Sequence, residues 1–504
     1  MRKTIAALLL AILPVLCTAQ NSVQFYIDST LKTNPKLINA LVSIYAEDAD
    51  GNEIASWNPD APILSASTLK TITTGIAYRI LGPDYRFTTS IAVKGEVGCD
   101  GTLDGDIYII GGADPTLGML HEVAYPVDSI FGIWANALSE AGISRINGRI
   151  IGDDRIFKDE VIMPEWTYSN YSSTSGCGSC GLPFAGNYSY YTVTPGPEIG
   201  DPLTITPKYG AVPDLQIVND AVTGASRSST ANMSFRTNRI TPAIYFFGSH
   251  PVGKGSRQVT TSNEFGAWTC AYEFFRFLDT KGISAAGYNE VTNLCRTGET
   301  PPSKNDMEII VETYSPELKD IVYVTNRISQ NFFAETIFKM TAKALIEMDK
   351  GYEVSGVSYV QARAAYRSYM ESEGLDLTGY TQSDGSGLAR RNFVSPRFFC
   401  RYYKWMEGCT EFESWLTSFP QPGSYGTLEN VLKKADPSVK TIIHAKSGSL
   451  SGVKAYAGYV ESATGLIHFA IQVNNLACST SEVQQDIEGF LEALGQYALE
   501  GCKE

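Results

Sequence analysis

The chain has 504 residues and a formal charge of -14 at neutral pH, a length worth several domains and a balance that disfavours nucleic acid and other polyanions as partners. Its hydrophobic content, 43%, is that of a globular protein.

Residues 1–20 read as a secretory signal, with Arg2 and Lys3 followed by an apolar run from Ile5 to Cys17 and small residues at Cys17-Thr18-Ala19. Export is therefore expected. Leu16 directly before Cys17 is a poor fit to a lipoprotein cleavage box, which argues against lipidation. No later apolar run approaches the roughly 20 residues that span a bilayer. The mature chain is expected to have no transmembrane segment and at most peripheral membrane contact. Losing Arg2 and Lys3 takes the charge from -14 to -16, and of 10 cysteines all but Cys17 remain. In an oxidising compartment Cys177-Gly178-Ser179-Cys180 is expected to form a small disulfide loop, since no second pair or nearby histidine completes a zinc site; an odd count leaves at least one thiol free.

In chain order, Ser29 to Lys36 begins a helix that Pro35 interrupts, and 40–46 with 53–57 pair as a hairpin around the turn Asp50-Gly51. The stretch Leu64 to Leu81 follows, with Leu69, Ile72, Ile76, Ile80 and Leu81 at helical spacing, so that Ser67 opens a helix and Lys70 lies one turn inside it on the same face. After Gly82-Pro83-Asp84 the texture changes to short strands, then a helix over 127–140. Leu138 to Ser144 is echoed by Leu278 to Ser284, which predicts two helix-to-strand units of one inserted α/β domain. Residues 188–254 between them read as a small all-β module. From Asp306 long elements return: Ser315-Pro316-Glu317 caps one helix, Asn331 opens another, and strands near 441–446, 454–460 and 466–473 precede a closing helix over 482–499.

A serine followed three residues later by lysine in a helical turn is a way to make a nucleophile, because the amine can take the hydroxyl proton when burial and cationic neighbours keep it neutral. The spacing recurs at Ser29-Thr30-Leu31-Lys32 and Ser451-Gly452-Val453-Lys454. Context separates the three, since proline follows the first and the last lies in a Ser/Gly-rich turn. Only Ser67 opens a long apolar-periodic helix.

Ser67-x-x-Lys70, Ser329-Gln330-Asn331 and Lys446-Ser447-Gly448 then occur in order at a helix start, an interhelical joint and a strand end. Together with Gly111 to Leu117, Ser383-Asp384-Gly385-Ser386-Gly387-Leu388 and Lys446 to Val453, they resemble the class C low-molecular-mass penicillin-binding proteins, the D-alanyl-D-alanine carboxypeptidase/endopeptidase family. The 262 positions between Ser67 and Ser329 fit that family, which carries extra domains there. The resemblance implies a serine β-lactamase/DD-peptidase-like α+β fold, with an antiparallel sheet flanked by helices. It would be built from 21–82 and 306–504, with an α/β domain (83–185 and 256–305) and a small β domain (186–255) inserted. It also implies a serine hydrolase acting on peptidoglycan stem peptides in the periplasm and acylated by β-lactam antibiotics, with no metal or organic cofactor.

By the same resemblance Ser67 attacks the penultimate D-alanine carbonyl, Lys70 is its base, Ser329 relays the proton to the leaving amine and Asn331 holds the substrate amide. Lys446 supplies positive charge toward Lys70 and the terminal carboxylate, which the Ser447 hydroxyl would also bond. Gly448 completes that motif, and the backbone N–H groups of Ser67 and Ser449 would form the oxyanion hole. The loop 383–388 is expected to support the wall of the site. In relatives an aspartate shortly after a Pro-x-Trp segment is associated with the diaminopimelate side-chain amine; here Asn170, after Pro164-Glu165-Trp166, falls at that place. His444 would share a strand face with Lys446 as a rim or packing residue, and His121, His250 and His468 have no triad-like context. A β-lactamase would need a deacylating base whose motif is not visible, a related esterase would usually lack the three-motif set, and a non-catalytic wall-binding homologue would commonly have lost the serine or lysine. Carboxypeptidase against endopeptidase preference and oligomeric state stay open.

Overall fold

The computed structural model describes residues 22–158, 161–225, 232–237, 241–287 and 290–500, with side chains except in the 232–237 strand. The expected signal at 1–20 lies outside these residues. The fold is α+β and falls into two compact units, one made by residues up to 83 with 322–330 and 360 onward, the other by 84–321 with 331–359.

The first unit is built on a five-stranded antiparallel sheet in the order Ile443–Leu450, Val453–Ser462, Gly465–Asn474, Leu41–Glu47, Glu53–Trp57. One face packs on the closing helix Gln484–Glu500, where Ile44, Phe469, Ile471, Phe490 and Leu494 are wholly buried. On the other face the helix Pro396–Glu407 sends Tyr403 against Tyr459, ring centroids 4.9 Å apart. Alternation along Ile443–Leu450 therefore decides which residues reach the site: Ala445 joins the core beneath the closing helix while Lys446 turns the other way.

The early helix differs from expectation. It starts at residue 22, ahead of Ser29, and ends in a wide turn, Ile27–Leu31, that includes Ser29 and stops short of Pro35.

In the second unit the first and last long strands of the inserted chain, Thr88–Val97 and Glu308–Tyr314, lie side by side, so the insertion leaves and returns at neighbouring points. The echoed segments occupy equivalent places: helices Val127–Glu140 and Gly266–Asp279 share a core around Trp134 and Phe274, and strands Arg145–Ile146 and Ser284–Ala285 pair in parallel. Tyr191, Val193, Leu203 and Phe246 form a separate small core among the short strands between the two echoed segments.

The expected disulfide does not form. Cys177 and Cys180 are both free thiols and buried, the first donating to the Asn187 carbonyl at 3.2 Å. Asn187 fills the loop instead, its amide donating to Gly178 O at 2.7 Å. Burial pushes both thiols up, Cys180 to about 12.

Candidate active site

The helix Lys70–Ile80 begins with a tighter 3-10 turn, Ala66–Leu69, rather than as one continuous α-helix from Ser67. Ala66 is held in the left-handed region at φ 48°, a strained position that turns the chain sharply out of the strand Ile63–Leu64. Both sides of the turn are tied down. Asn474 exchanges two side-chain hydrogen bonds with the Leu64 backbone at 2.9 and 3.0 Å, and Ser65 N donates to Asn392 O at 3.3 Å.

Lys70 to Tyr78 are all buried, which explains the run of threonines and a glycine in this helix. A side chain at Gly75 would fall 2.2 Å from the Tyr402 hydroxyl. Threonine hydroxyls bond back to the helix or across to neighbours, as Thr71 does to Tyr403 at 3.0 Å, so no polar group is stranded. The Lys70 amine lies 2.9 Å from Ser67 Oγ and donates to Ser386 O at 2.7 Å. A serine and a buried amine are thus within proton-transfer reach.

The strand Ile443–Leu450 closes one side of this pair. A Cβ at Gly448 would lie 2.8 Å from Ser65 O and 3.1 Å from Ser67 N, so glycine lets the strand backbone come against the turn that carries Ser67. Lys446 is wholly buried, with its amine donating to Ser447 O at 2.8 Å. Burial first, then repulsion from Lys70 and Lys454, holds its pKa well below that of a free lysine. Ser449 is exposed and lies opposite Lys454, whose amine is 3.4 Å from the Ser449 hydroxyl.

Ser329 ends the helix Leu318–Arg327 region in a left-handed conformation, φ 61°. The approach to it is fixed by residues that sequence reasoning missed. Asn326 donates to Thr74 Oγ1 at 3.2 Å and Ser418 Oγ at 2.8 Å, and Thr74 in turn bonds Lys70 O at 2.8 Å. Arg327 reaches Ser424 Oγ and Thr417 O. The only trace of this in the sequence is polar residues placed inside an apolar helical pattern.

The second unit contains Asn331, at the start of the helix Asn331–Lys350, and Asn170, in an exposed 3-10 turn. Asn331 donates to Ser175 O at 2.7 Å, and the Ser173 backbone donates to Asn170 O at 3.0 Å, so one short loop links the two asparagines. The Asn170 amide itself donates to Thr167 Oγ1 at 3.0 Å.

The loop 383–388 is buried and continuous with the site: a Cβ at Gly387, φ 85°, would fall 1.9 Å from Ala66 O. His444 is half-buried and paired with Glu461 at 2.7 Å. The two other Ser-x-x-Lys occurrences are not catalytic pairs. Ser29 Oγ bonds back to Phe25 O while Lys32 pairs with Asp28, and Lys454 turns to Ser449 rather than to Ser451. Among the described residues no cluster of three or more His, Cys, Asp or Glu side chains is placed to hold a metal ion.

A family profile described as the D-Ala-D-Ala carboxypeptidase 3 (S13) family matches residues 23–494. A D-alanyl-D-alanine carboxypeptidase from Actinomadura sp. (strain R39) is 27% identical over 464 residues, 89% of this chain and 80% of its own. The D-alanyl-D-alanine carboxypeptidase DacB of Haemophilus influenzae is 22% identical over 436 residues, covering 84% and 83%. In fold, the crystal structure of penicillin binding protein 4 (dacB) from Haemophilus influenzae superposes with a TM-score of 0.77 at 19% identity, over 94% of this chain and 98% of that one. The same protein complexed with a β-lactam gives 0.72. With a match that spans nearly all described residues and a serine–lysine pair at its centre, the chain belongs to the D-Ala-D-Ala carboxypeptidase 3 (S13) family.

Proposed function

We propose that Ser67 is the acylated serine of a D-alanyl-D-alanine carboxypeptidase/endopeptidase that cuts peptidoglycan stem peptides, with Lys70 as its base. The observation that carries this is the 2.9 Å contact between the Lys70 amine and Ser67 Oγ, buried beside a second lysine. The substrate's terminal carboxylate would settle near Lys446 and Ser447. A carboxylate there favours the ammonium at Lys446, and repulsion between the two lysines then favours the neutral amine at Lys70. Substrate binding would in this way prepare its own nucleophile.

Ser67 Oγ then bonds to the penultimate D-alanine carbonyl carbon as its proton passes to Lys70. The backbone N–H groups of Ser67 and Ser449 would receive the oxyanion, with Gly448 permitting their close approach. As the C–N bond breaks, Ser329 would relay the proton to the departing amine while Asn331 holds the substrate amide. Water releases the acyl group. A β-lactam would follow the first half of this course and remain on Ser67. The reading also places the enzyme outside the cytoplasm, in the periplasm, which the apolar segment at 5–17 supports.

The test is labelling with fluorescent penicillin. The intact protein should take up label that persists for minutes, Ser67→Ala should take up none, and Ser29→Ala should behave as wild type. Label that turns over rapidly would favour a β-lactamase. Labelling of the Ser67 variant would assign the nucleophile elsewhere.

For the third residue of the stem peptide, Asn170 offers a hydrogen-bond acceptor without charge to a free side-chain amine. Its loop being bonded to Asn331 supports a place near bound peptide. Asn170→Asp should raise catalytic efficiency on peptides with a free side-chain amine and leave N-acylated peptides unchanged. An unaltered ratio between the two substrates would remove Asn170 from the binding site.

A further inference from the structure

We propose that Asp384 is a positioning residue for acylation: with Asn392 it locks the 382–392 loop so that the Ser386 carbonyl aims the Lys70 amine at Ser67. The inference rests on Ser67 and Lys70 being nucleophile and base. A neutral amine has two N–H bonds and one lone pair, and it can act as a base only when the lone pair faces the serine proton. A carbonyl oxygen only accepts. By taking one N–H of Lys70 at 2.7 Å, Ser386 O restricts where the lone pair can point while Ser67 Oγ waits 2.9 Å away. Once the proton has moved, the same carbonyl dipole favours the new ammonium.

A carbonyl in a loop can do this only if the loop cannot drift, and the bonds around Ser386 prevent it. One Asp384 oxygen accepts from Gly387 N at 2.8 Å and Asn392 Nδ2 at 2.9 Å; the other accepts from Ala389 N at 2.6 Å. Asn392 Oδ1 takes Ser383 N at 2.7 Å, and its main-chain oxygen takes Ser65 N, so one residue braces both the amine's acceptor and the nucleophile's turn. From the Lys70 helix, Thr73 Oγ1 donates to Gly385 O at 2.7 Å. Asp384, Ser386 and Asn392 are each 0% exposed. A carboxylate so deeply buried is costly unless several donors meet it, and here they include the backbone amides of Gly387 and Ala389, just after the residue that faces Lys70, and the side-chain amide of Asn392.

The experiment measures the rate of acylation by penicillin G against pH for the mature full-length protein and for Asp384→Asn, Thr73→Val and Ser67→Ala. Asp384→Asn should acylate 10- to 100-fold more slowly, on the order expected when a catalytic group is displaced by about 1 Å. Its acid limb should also move to lower pH, because the Lys70 ammonium has lost a fixed acceptor. Thr73→Val, nearly isosteric, should shift the limb the same way by less, and it decides the matter if Asp384→Asn does not fold. A uniform loss at every pH, or an unmoved profile, in folded variants would reduce Asp384 to a structural role and overturn the proposal. Acylation of Ser67→Ala would instead overturn the nucleophile assignment on which it stands.

Discussion

A lysine buried on a strand beside a proposed nucleophile would be useful as a charge, and burial opposes that charge. At Lys446 the opposition is compounded by Lys70 and Lys454, and a substrate carboxylate placed beside it, as proposed, would favour its ammonium. Lys446→Ala should therefore reduce kcat/KM on peptides ending in a free carboxylate by roughly 100-fold, with a smaller loss on neutral ester analogues. Equal losses on both would assign Lys446 to tuning Lys70 alone. At this scale much was legible beforehand. Ser67, Lys70 and Lys446 carry reactive groups at spacings that a helical turn and a strand end make meaningful. Asn326 was not, because a buried asparagine has no signature until its partner, here 252 positions away, is known; nor was Asn392, whose side chain bonds within its own loop while its main-chain oxygen meets Ser65, 327 positions away.

Between elements, the decisive contact is one that a single methyl group would break. The loop carrying Ser386 passes so close to the nucleophile turn that a Cβ at Gly387 would overlap Ala66 O, and its φ of 85° is disfavoured for any L side chain. Gly387→Ala is expected to destabilise the fold by about 1–3 kcal/mol. It should also slow penicillin labelling well beyond what the lost stability explains, because Ala66 must move and Ser67 with it. Thermal denaturation and labelling rate, measured together, check this; a destabilised variant that labels at the wild-type rate would show the turn to be insulated from the loop. The sequence already marked this stretch as part of the pattern, while the backbone approach that explains its glycines exists only in three dimensions. The same limit applies to the nucleophile helix, whose apolar period is plain but whose opening 3-10 turn follows from strain at Ala66. It applies again to Cys177 and Cys180, where composition suggested a disulfide and Asn187 supplies the cross-link through hydrogen bonds.

Across the whole molecule acidic groups predominate, and one buried histidine in the five-stranded sheet is expected to give its stability a distinctive pH dependence. His468 is fully buried opposite Glu47 on the neighbouring strand, with Nδ1 3.5 Å from that carboxylate and Nε2 against Glu407. Tyr459 closes the remaining side, and Lys404 stands 3.8 Å from Glu407 on its outer edge. Burial lowers the imidazole pKa, but bonding to Glu407 and then Glu47 outweighs it, and the net shift is upward. A base whose folded pKa exceeds its unfolded value near 6.5 binds its proton more tightly in the native state. Below that value both states are protonated and the stabilisation is fully present. As pH rises, the unfolded chain releases its proton first, and the contribution is lost by the time pH has passed the folded pKa. The stability advantage of wild type over His468→Gln should therefore be constant below about pH 6 and shrink through the neutral and alkaline range. Because other titrating groups are common to both proteins, the difference between their urea midpoints at each pH isolates the histidine. A difference that stays flat up to pH 9, or grows, would mean that the folded pair holds its proton no more tightly than the unfolded imidazole does, and that the two carboxylates do not raise the affinity of His468 for it.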